Sequence, residues 1–268
     1  MKSKIISVIN QKGGVGKTTT VINLAAGLAA SKKKILVIDL DPQGNATTGL
    51  GHSNIDGSEK NIYNALIGSK NISEVIQKTE INNLDIITSN VDLSGLEVET
   101  AGDSARAFIL RDKLSEFFSE NRSDYNHIFI DCPPSLSLLT VMALVASNSL
   151  IVPLQTEFFA LEGLTQLVKT IDRIKKSLNS DLCIRGIILT MYDKRNKLSS
   201  QVNDEARKFF KEKVYQTIIP RNVRLSEAPS HGTPCIIYDK KCLGSKSYLN
   251  LADEFLSQKV KKNLGSAA

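Results

Sequence analysis

One stretch of the sequence decides the fold: Gln11-Lys12-Gly13-Gly14-Val15-Gly16-Lys17-Thr18-Thr19. The apolar run over residues 5–9 is typical of a buried strand, and residues 20–30 carry apolar side chains at helical spacing. A strand, a glycine-rich loop and a helix in this order predict a phosphate-binding loop. Because glycine has no Cβ, consecutive backbone N–H groups can turn towards an anion, and the helix N-terminus adds the positive end of its dipole.

The residues of this loop have distinct expected roles. Lys17 can reach the β- and γ-phosphates of a nucleotide, and the Thr18 hydroxyl can bind Mg²⁺. Lys12 is a second lysine at the mouth of the loop, which marks the deviant form of the motif. A plain glycine turn with exposed lysines is disfavoured because the glycines, Lys17 and Thr18 all fall in register. We expect the nucleotide to be bound by Lys12, Gly13, Gly14, Val15, Gly16, Lys17, Thr18 and Thr19.

Two further apolar runs end in aspartates. Residues 35–39 lead into Asp39 and Asp41, and residues 127–131 end at Asp131. Carboxylates at the C-terminal ends of parallel strands lie on the edge where such sheets bind ligands. Asp131 is expected to hold the Mg²⁺ shell, through water, whereas an Asp-Pro turn is the alternative for residues 39–43. Right-handed crossovers predict that Lys17, Asp41 and Asp131 gather at one edge.

The order of predicted elements indicates an α/β fold. It predicts a P-loop NTPase with a mostly parallel twisted sheet and helices on both faces. The predicted strands cover residues 5–9, 35–39, 84–88, 127–131, 149–153, 184–190 and 214–219. The predicted helices cover residues 20–30, 62–67, 72–76, 93–100, 105–118, 140–146, 161–178, 199–211 and 246–260. No Pro-, Gly- or Ser-rich linker or repeat divides the chain, so we expect one domain over residues 1–264 and a frayed or non-native tail over 265–268.

Composition favours an ordinary globular protein over a membrane or secreted protein. Hydrophobic residues are 41% of the 268 residues, which is enough for a sizeable core. We expect no membrane span and no signal peptide, and we expect the four cysteines, which form no CxxC pair, to be reduced thiols. The formal net charge of +6 fits either spare surface lysines or a polyanionic partner such as nucleic acid or acidic lipid.

These motifs together resemble the ParA/Soj partitioning ATPases. The resemblance rests on residues 12–19, 39–43 and 131–134, extends to 157–163 and 220–232, and covers residues 3 to about 258. The first three motifs are shared by a wider superfamily, whereas the last two favour the chromosomal Soj-like branch. The chain starts at the first strand, so we expect it to lack the helix-turn-helix extension of plasmid members that act as repressors.

The resemblance implies a mechanism. ATP and Mg²⁺ drive formation of a face-to-face homodimer in which Lys12 crosses to the phosphates of the other subunit. Asp41 matches the acid that positions water, so Lys12, Lys17 and Asp41 form the expected catalytic set, and Pro220 and Asn222 match positions that hold the adenine. The ATP dimer binds DNA without sequence preference until a ParB-like activator stimulates hydrolysis and releases it.

The same resemblance predicts the DNA-contacting residues. Soj-like relatives place arginines in the stretches that here contain Arg195 and Arg224. The alternative is that these are simply solvated loops. The expected location is cytoplasmic and associated with the nucleoid.

Three other functions are weighed against this one. A MinD-like positioning ATPase would bind membrane through a C-terminal amphipathic helix, but the tail here is basic and has few bulky apolar residues. An iron-sulfur ATPase needs two cysteines per subunit at the dimer axis, and Cys132 alone lies near the site. A metabolic ligase such as dethiobiotin synthetase is disfavoured by residues 220–232.

Overall fold

The computed structural model describes residues 4–52, 59–120 and 124–258. Its seven strands within these ranges are β1 Lys4–Val8, β2 Ile35–Asp39, β3 Ile76–Lys78, β4 Leu84–Ile87, β5 His127–Asp131, β6 Ser149–Gln155 and β7 Cys183–Thr190. Its α-helices within the same ranges are α1 Lys17–Ala30, α2 Asn45–Gly49, α3 Ile62–Leu66, α4 Ile72–Val75, α5 Leu96–Glu99, α6 Ile109–Glu120, α7 Leu138–Ala146, α8 Ala160–Ser177, α9 Lys197–Phe210, α10 Val223–Glu227, α11 Cys235–Tyr238 and α12 Leu243–Ser257.

The strands form one sheet in the order β3-β4-β2-β5-β1-β6-β7. All neighbouring pairs are parallel except β3 and β4, which confirms the mostly parallel α/β prediction. In the central strands Asp131 is level with Val8 on one side and with Asp39 on the other. The loops that follow β1, β2 and β5 therefore leave the sheet at the same edge, as the right-handed crossovers predict.

Alternation along the strands divides the core into two layers. Ile38 and Ile130 belong to one hydrophobic cluster, whereas Val37 and Phe129 belong to the other. Because successive strand residues face opposite sides, these clusters lie on the two faces of the sheet. Helices α3–α9 pack on the first face, and α1, α2, α10, α11 and α12 pack on the second. No helix among the described residues is long and apolar enough to cross a membrane.

The prediction of a strand over residues 214–219 is wrong. The segment makes only isolated bridges, Ile187 with Val214 and Tyr192 with Pro220. The N–H groups of Tyr215 and Ile219 donate to backbone carbonyls of β7, each at 2.9 Å. Between them, the Glu254 carboxylate accepts from the N–H groups of Gln216 and Thr217 at 2.7 and 2.9 Å. The side-chain hydrogen bonds therefore interrupt the backbone pairing with β7, and no continuous strand forms.

Several element boundaries also differ from the predictions, and two of the differences add or move an element end. The helix predicted over 72–76 ends at Val75, and β3 follows it as an unpredicted antiparallel edge strand. The last helix, predicted over 246–260, begins at Leu243 and ends at Ser257. Residues 259 and 260 and the predicted tail over 265–268 lie outside the described residues. One shared sheet supports our proposal of a single domain over residues 1–264.

Candidate nucleotide site

The loop between β1 and α1 has the backbone geometry of an anion cradle. Gly14 and Gly16 have φ values of +72° and +89°, which side chains with a Cβ rarely adopt. Gly16 precedes the first turn of α1, a helix of 14 residues, and its carbonyl accepts from the Thr20 N–H at 2.9 Å. The free N–H groups of the first helical turn therefore open towards the same edge of the sheet as the strand ends.

Lys17 is folded back over this loop. Its Nζ donates to the Lys12 carbonyl at 3.3 Å, and its side chain is largely buried. Burial lowers its pKa, while the charges of Asp131 and Asp41 oppose that shift. A lysine so placed can exchange one backbone carbonyl for phosphate oxygens without leaving its position.

Thr18 and Asp131 form the polar contact that joins α1 to β5. The Thr18 hydroxyl donates to Asp131 Oδ2 at 2.7 Å. Asp131 is 0% exposed, and its Oδ1 has no hydrogen-bond partner within the described part of the chain. Burial raises the pKa of Asp131, and the negative charges of Asp39 and Asp41 raise it as well. The hydrogen bond from Thr18 and the positive charge of Lys17 lower it, but by less. A buried carboxylate with an unpartnered oxygen is poorly satisfied without a further ligand.

Asp39 and Asp41 add two more carboxylates at this edge. Asp39 Oδ2 accepts from both the backbone N–H and the hydroxyl of Thr47, each at 2.7 Å. Burial nevertheless raises the pKa of Asp39 to about 6. Asp41 Oδ1 accepts from the Gln43 N–H at 3.0 Å. The hydrogen bonds of Asp39 fix the conformation of the β2–α2 loop. The Asp41 carboxylate can accept a further hydrogen bond and so orient another donor.

This combination of charges fits a hydrated divalent cation. Asp41 and Asp131 lie within electrostatic range of the buried Lys17 ammonium, and Asp39 lies within electrostatic range of Asp131. No group of three or more His, Cys, Asp or Glu side chains over residues 4–52, 59–120 and 124–258 could hold a metal by itself. Mg²⁺ suits such a place because it keeps several waters and takes one or two protein oxygens together with phosphates.

Lys12 is not in the pocket of its own chain. Its Nζ lies 2.5 Å from Glu157 Oε2, and the two side chains are 54% and 46% exposed. Glu157 is also bonded through Oε1 to the Gln155 side-chain amide. The structure therefore places the two loop lysines differently: Lys17 lies against the phosphate loop, and Lys12 lies on the surface beside the start of α8.

A cavity of about 100 Å³ lies beside the loop. Pro220 and Asn222 line it, as do Gly16 and Thr19 from the phosphate loop and α1. Asn222 also caps α10 by accepting from the Arg224 N–H at 2.9 Å, which fixes its orientation. Pro220 and Asn222, which are predicted to hold the adenine, therefore lie next to the loop that is predicted to bind the phosphates.

Arg195 and Arg224 lie on segments that the backbone joins. The Arg221 N–H donates to the Tyr192 carbonyl at 3.0 Å. Arg195 is 90% exposed and makes a two-pronged contact with Asp193. Arg224 is 51% exposed and lies 2.7 Å from Glu227. Both arginines therefore present charge to solvent on segments that also contribute residues to the cavity wall, and each lies next to a carboxylate of its own chain.

Sequence reasoning missed several residues of this site. Met191, with φ +53°, and Tyr248 line the cavity, and the Tyr248 hydroxyl lies 3.1 Å from Thr20 Oγ1. The sequence motif over residues 157–163 does not indicate that Glu157 pairs with Lys12. An αL methionine at the end of β7 has no signature in the sequence, and Tyr248 is 228 positions from Thr20. Only the assembled fold brings these side chains to the loop.

Comparisons with known proteins are consistent with this geometry. A family model described as an AAA domain matches residues 3–184. The chromosome partitioning protein ParA of Caulobacter vibrioides is 50% identical over 255 residues, which cover 95% of this chain and 94% of that protein. The chromosome-partitioning ATPase Soj of Treponema pallidum is 46% identical over 255 residues, with coverages of 95% and 98%.

A solved structure matches the fold with a nucleotide in place. Cobyrinic acid a,c-diamide synthase from Mycobacterium smegmatis, with a bound ATP analogue and magnesium, has a TM-score of 0.83 and 32% identity. The match covers 95% of this chain and 94% of that one.

Proposed function

Because this chain belongs to the ParA/Soj family of chromosome-partitioning ATPases, we propose that ATP drives it into a homodimer that binds DNA without sequence preference. A ParB-like activator then stimulates hydrolysis, which separates the subunits and releases the DNA. Cycles of binding and release let a cargo follow the ATPase over the nucleoid. The working location is accordingly the cytoplasm, on chromosomal DNA.

The phosphate loop supports the proposed binding of ATP and Mg²⁺. The loop backbone from Lys12 to Thr19 receives the phosphates of ATP, with the Lys17 ammonium beside them. Thr18 and the unpartnered oxygen of Asp131 hold Mg²⁺, Asp131 through water. When bound, Mg²⁺ supplies positive charge that offsets the charge of the phosphates. The magnesium and ATP analogue in the M. smegmatis protein support this use of the fold.

Adenine recognition is supported by the cavity next to the loop. Pro220 and Asn222 form its rim, and Thr19 places it within reach of the phosphate-binding backbone. An amide side chain can donate to and accept from a purine edge, and proline offers a flat apolar contact. The fixed rotamer of Asn222, held by its bond to Arg224, pre-orients that amide.

Hydrolysis is assigned to Asp41 and Lys12. Asp41 is mostly buried at the same edge of the sheet as the phosphate loop, and its carboxylate can orient an attacking water. Lys12 lies outside its own pocket, where it can serve a phosphate presented by a second subunit. A cation supplied in trans stabilises the charge of the transition state, which makes hydrolysis depend on dimer formation. Phe158 and Phe159, exposed beside Glu157, are the kind of apolar surface that such an interface covers.

The proposed DNA surface is formed by the segments of Arg195 and Arg224. One monomer offers few phosphate contacts, whereas a dimer aligns two such surfaces and releases more counterions. The observation that carries the proposal is the Arg221–Tyr192 backbone bond. This bond joins the two arginine-containing segments next to the nucleotide cavity. The same two segments would therefore contact both the nucleotide and the DNA.

Co-sedimentation tests the proposal against a MinD-like membrane function. The full chain is incubated with ATP and either duplex DNA beads or vesicles of phosphatidylglycerol and phosphatidylcholine. We expect ATP-dependent recovery with DNA and none with vesicles. ATP-dependent recovery with vesicles, but not with DNA, would replace the DNA carrier by a membrane-associated positioning ATPase.

A further inference from the structure

Two cysteines meet on the face of the sheet covered by α12. Cys235 begins α11 and Cys242 precedes the first turn of α12, so the two are seven positions apart. Their sulfur atoms lie 3.6 Å from each other. The Ser245 hydroxyl is 3.3 Å from each sulfur. This arrangement is a thiol pair in contact and not two isolated cysteines.

We propose that Cys235 and Cys242 form a reversible disulfide, which makes the pair a redox-modification site independent of the nucleotide chemistry. A disulfide bond is about 2.0 Å long, so the sulfurs must approach by roughly 1.6 Å. The backbone around them is already closed: the Asp239 N–H donates to the Cys235 carbonyl at 2.9 Å, and the Ser245 hydroxyl donates to the same carbonyl at 2.8 Å. Rotation of the two side chains can therefore supply most of the movement.

The oxidant is a low-molecular-weight disulfide such as oxidised glutathione. The Cys242 thiol loses its proton to water, and its thiolate attacks one sulfur of the oxidant, whose S–S bond breaks and releases one glutathione thiolate. The Cys235 thiolate, after losing its own proton, attacks the Cys242 sulfur of the mixed disulfide and expels the second glutathione thiolate. Two protein thiols are oxidised to one disulfide, and one glutathione disulfide is reduced to two thiols.

The surroundings set the order of these two steps. Cys242 is partly exposed, whereas Cys235 is 1% exposed. Burial raises the pKa of the Cys235 thiol to about 11, so only a small fraction of it is thiolate near neutral pH. Cys242 therefore meets the oxidant first, and attack by Cys235 is the slower step.

The disulfide would restrict the turn between α11 and α12. This turn contacts Arg224 and leads into the helix that lines the nucleotide cavity. Asp239 lies in this turn, accepts from the Lys241 and Cys242 N–H groups, and lies 3.5 Å from the Arg224 guanidinium. The helix that begins at this turn carries Tyr248, which lines the nucleotide cavity. Closing a short loop removes freedom from the unfolded chain, so we expect the oxidised protein to melt a few degrees higher than the reduced one.

The test treats the full folded chain with excess oxidised glutathione, followed by alkylation and mass-spectrometric mapping of the thiols. Wild type should lose the Cys235 and Cys242 thiols together, give a cross-linked peptide lacking two hydrogens, and recover both thiols with dithiothreitol. Cys183→Ser, which removes the other partly exposed thiol, should behave the same way. Cys242→Ser should give no cross-link and no rise in melting temperature; serine retains the helix cap, so this variant is expected to fold.

Two results would overturn the proposal. One is a stable mixed disulfide on Cys242 while Cys235 remains open to alkylation after denaturation, because the second attack would then not occur. The other is full retention of both thiols under conditions in which Cys183 is modified. In either case the sulfur contact would be packing alone.

Discussion

Lys12 and Glu157 form an ion pair on the surface of the monomer, with Nζ 2.5 Å from Oε2. Both side chains are about half exposed, and pairs of this kind contribute roughly 0–1 kcal/mol. Phosphate oxygens of a second subunit could therefore displace Glu157 at little free-energy cost. The pair holds Lys12 at the mouth of the loop, away from the pocket that Lys17 occupies.

The first prediction concerns this pair. Lys12→Ala should retain monomeric ATP binding but lose ATP-dependent dimerisation, because it removes the cation that we propose crosses the interface. Glu157→Gln keeps the shape of the partner but frees Lys12, so dimerisation should be equal to wild type or tighter by up to about fivefold. Light scattering with ATP and with ADP measures both variants.

Mixing subunits tests the crossing itself. Lys12→Ala subunits bind ATP, and Lys17→Ala subunits still carry Lys12, so a mixture should regain part of the hydrolysis that each variant lacks alone. Wild-type dimerisation by Lys12→Ala would mean that Lys12 acts within its own chain or not at all.

The second prediction concerns the pocket. Lys17→Ala removes the buried cation next to the loop and should weaken ATP binding by roughly tenfold to a hundredfold or more. Thr18→Ala removes the hydroxyl bonded to Asp131 and should shift the Mg²⁺ dependence to higher concentration, with a smaller effect when Mg²⁺ is absent. Calorimetric titration of ATP with and without Mg²⁺ separates the two effects. Unchanged affinity in Lys17→Ala would remove the phosphate assignment.

The third prediction concerns Asp41. Asp41→Ala should keep ATP binding and dimerisation but lose hydrolysis, because the carboxylate that we propose orients water is removed while the contacts of the ground state remain. Asp41→Asn keeps an acceptor for the Gln43 N–H and should show the same loss, which distinguishes the charge from the loop structure. Phosphate release and sizing in ATP are the measurements. A variant that stays monomeric with ATP would give Asp41 a binding role.

The fourth prediction concerns stability and pH. His127, in β5, packs edge-on against Phe255 with ring centroids 5.1 Å apart. Burial, together with the charges of Arg185, Lys4 and Lys33, lowers its pKa to about 4. Since the folded pKa lies below the unfolded value of about 6.5, this contribution to stability is complete above about pH 6.5 and is lost as the pH falls through about 4.

The matched variant is His127→Phe, which keeps an aromatic ring and removes the titration. Between pH 6.5 and 4 the free energy of unfolding of wild type should fall more steeply than that of the variant. Urea unfolding at a series of pH values provides the comparison. Parallel profiles for the two proteins would show that protonation of His127 is not linked to unfolding.

The sequence predicted the parts of the fold and site that depend on short-range patterns. The phosphate loop, the strands ending in Asp39 and Asp131, and their meeting at one edge follow from apolar runs, glycines and crossover handedness. These signals are local, and each residue type has a physical reason to occupy its position. The chain connections then bring the strand ends together.

Other features depend on contacts that no local pattern encodes. Residues 214–219 have the apolar character of a strand, but the Arg207 guanidinium donates to the Tyr215 carbonyl, and Glu254 takes two N–H groups of the same segment. Lys12 and Glu157 are 145 positions apart. The Cys235–Cys242 contact arises from the turn between α11 and α12, and a spacing of seven does not signal it.

The fifth prediction concerns the DNA surface. Arg195→Ala combined with Arg224→Ala should weaken DNA binding and lower its salt slope by about 0.9 per lost phosphate contact, while ATP-dependent dimerisation persists. Arg173→Ala, on the exposed face of α8, removes one positive charge, as either single variant does, and should have little effect. Asp193→Asn releases Arg195 from its carboxylate partner and should raise the affinity. Equal DNA affinity for the double variant and wild type would place the surface elsewhere.

The most direct test of the account is the affinity of the wild-type protein for two duplexes of unrelated sequence, measured with ATP and Mg²⁺, with ADP and Mg²⁺, and without nucleotide. The account predicts tight binding with ATP, weak binding in the other two conditions, equal affinity for both duplexes, and a steep loss of affinity with salt. Binding that is the same in all nucleotide states, or that is confined to one sequence, would contradict it.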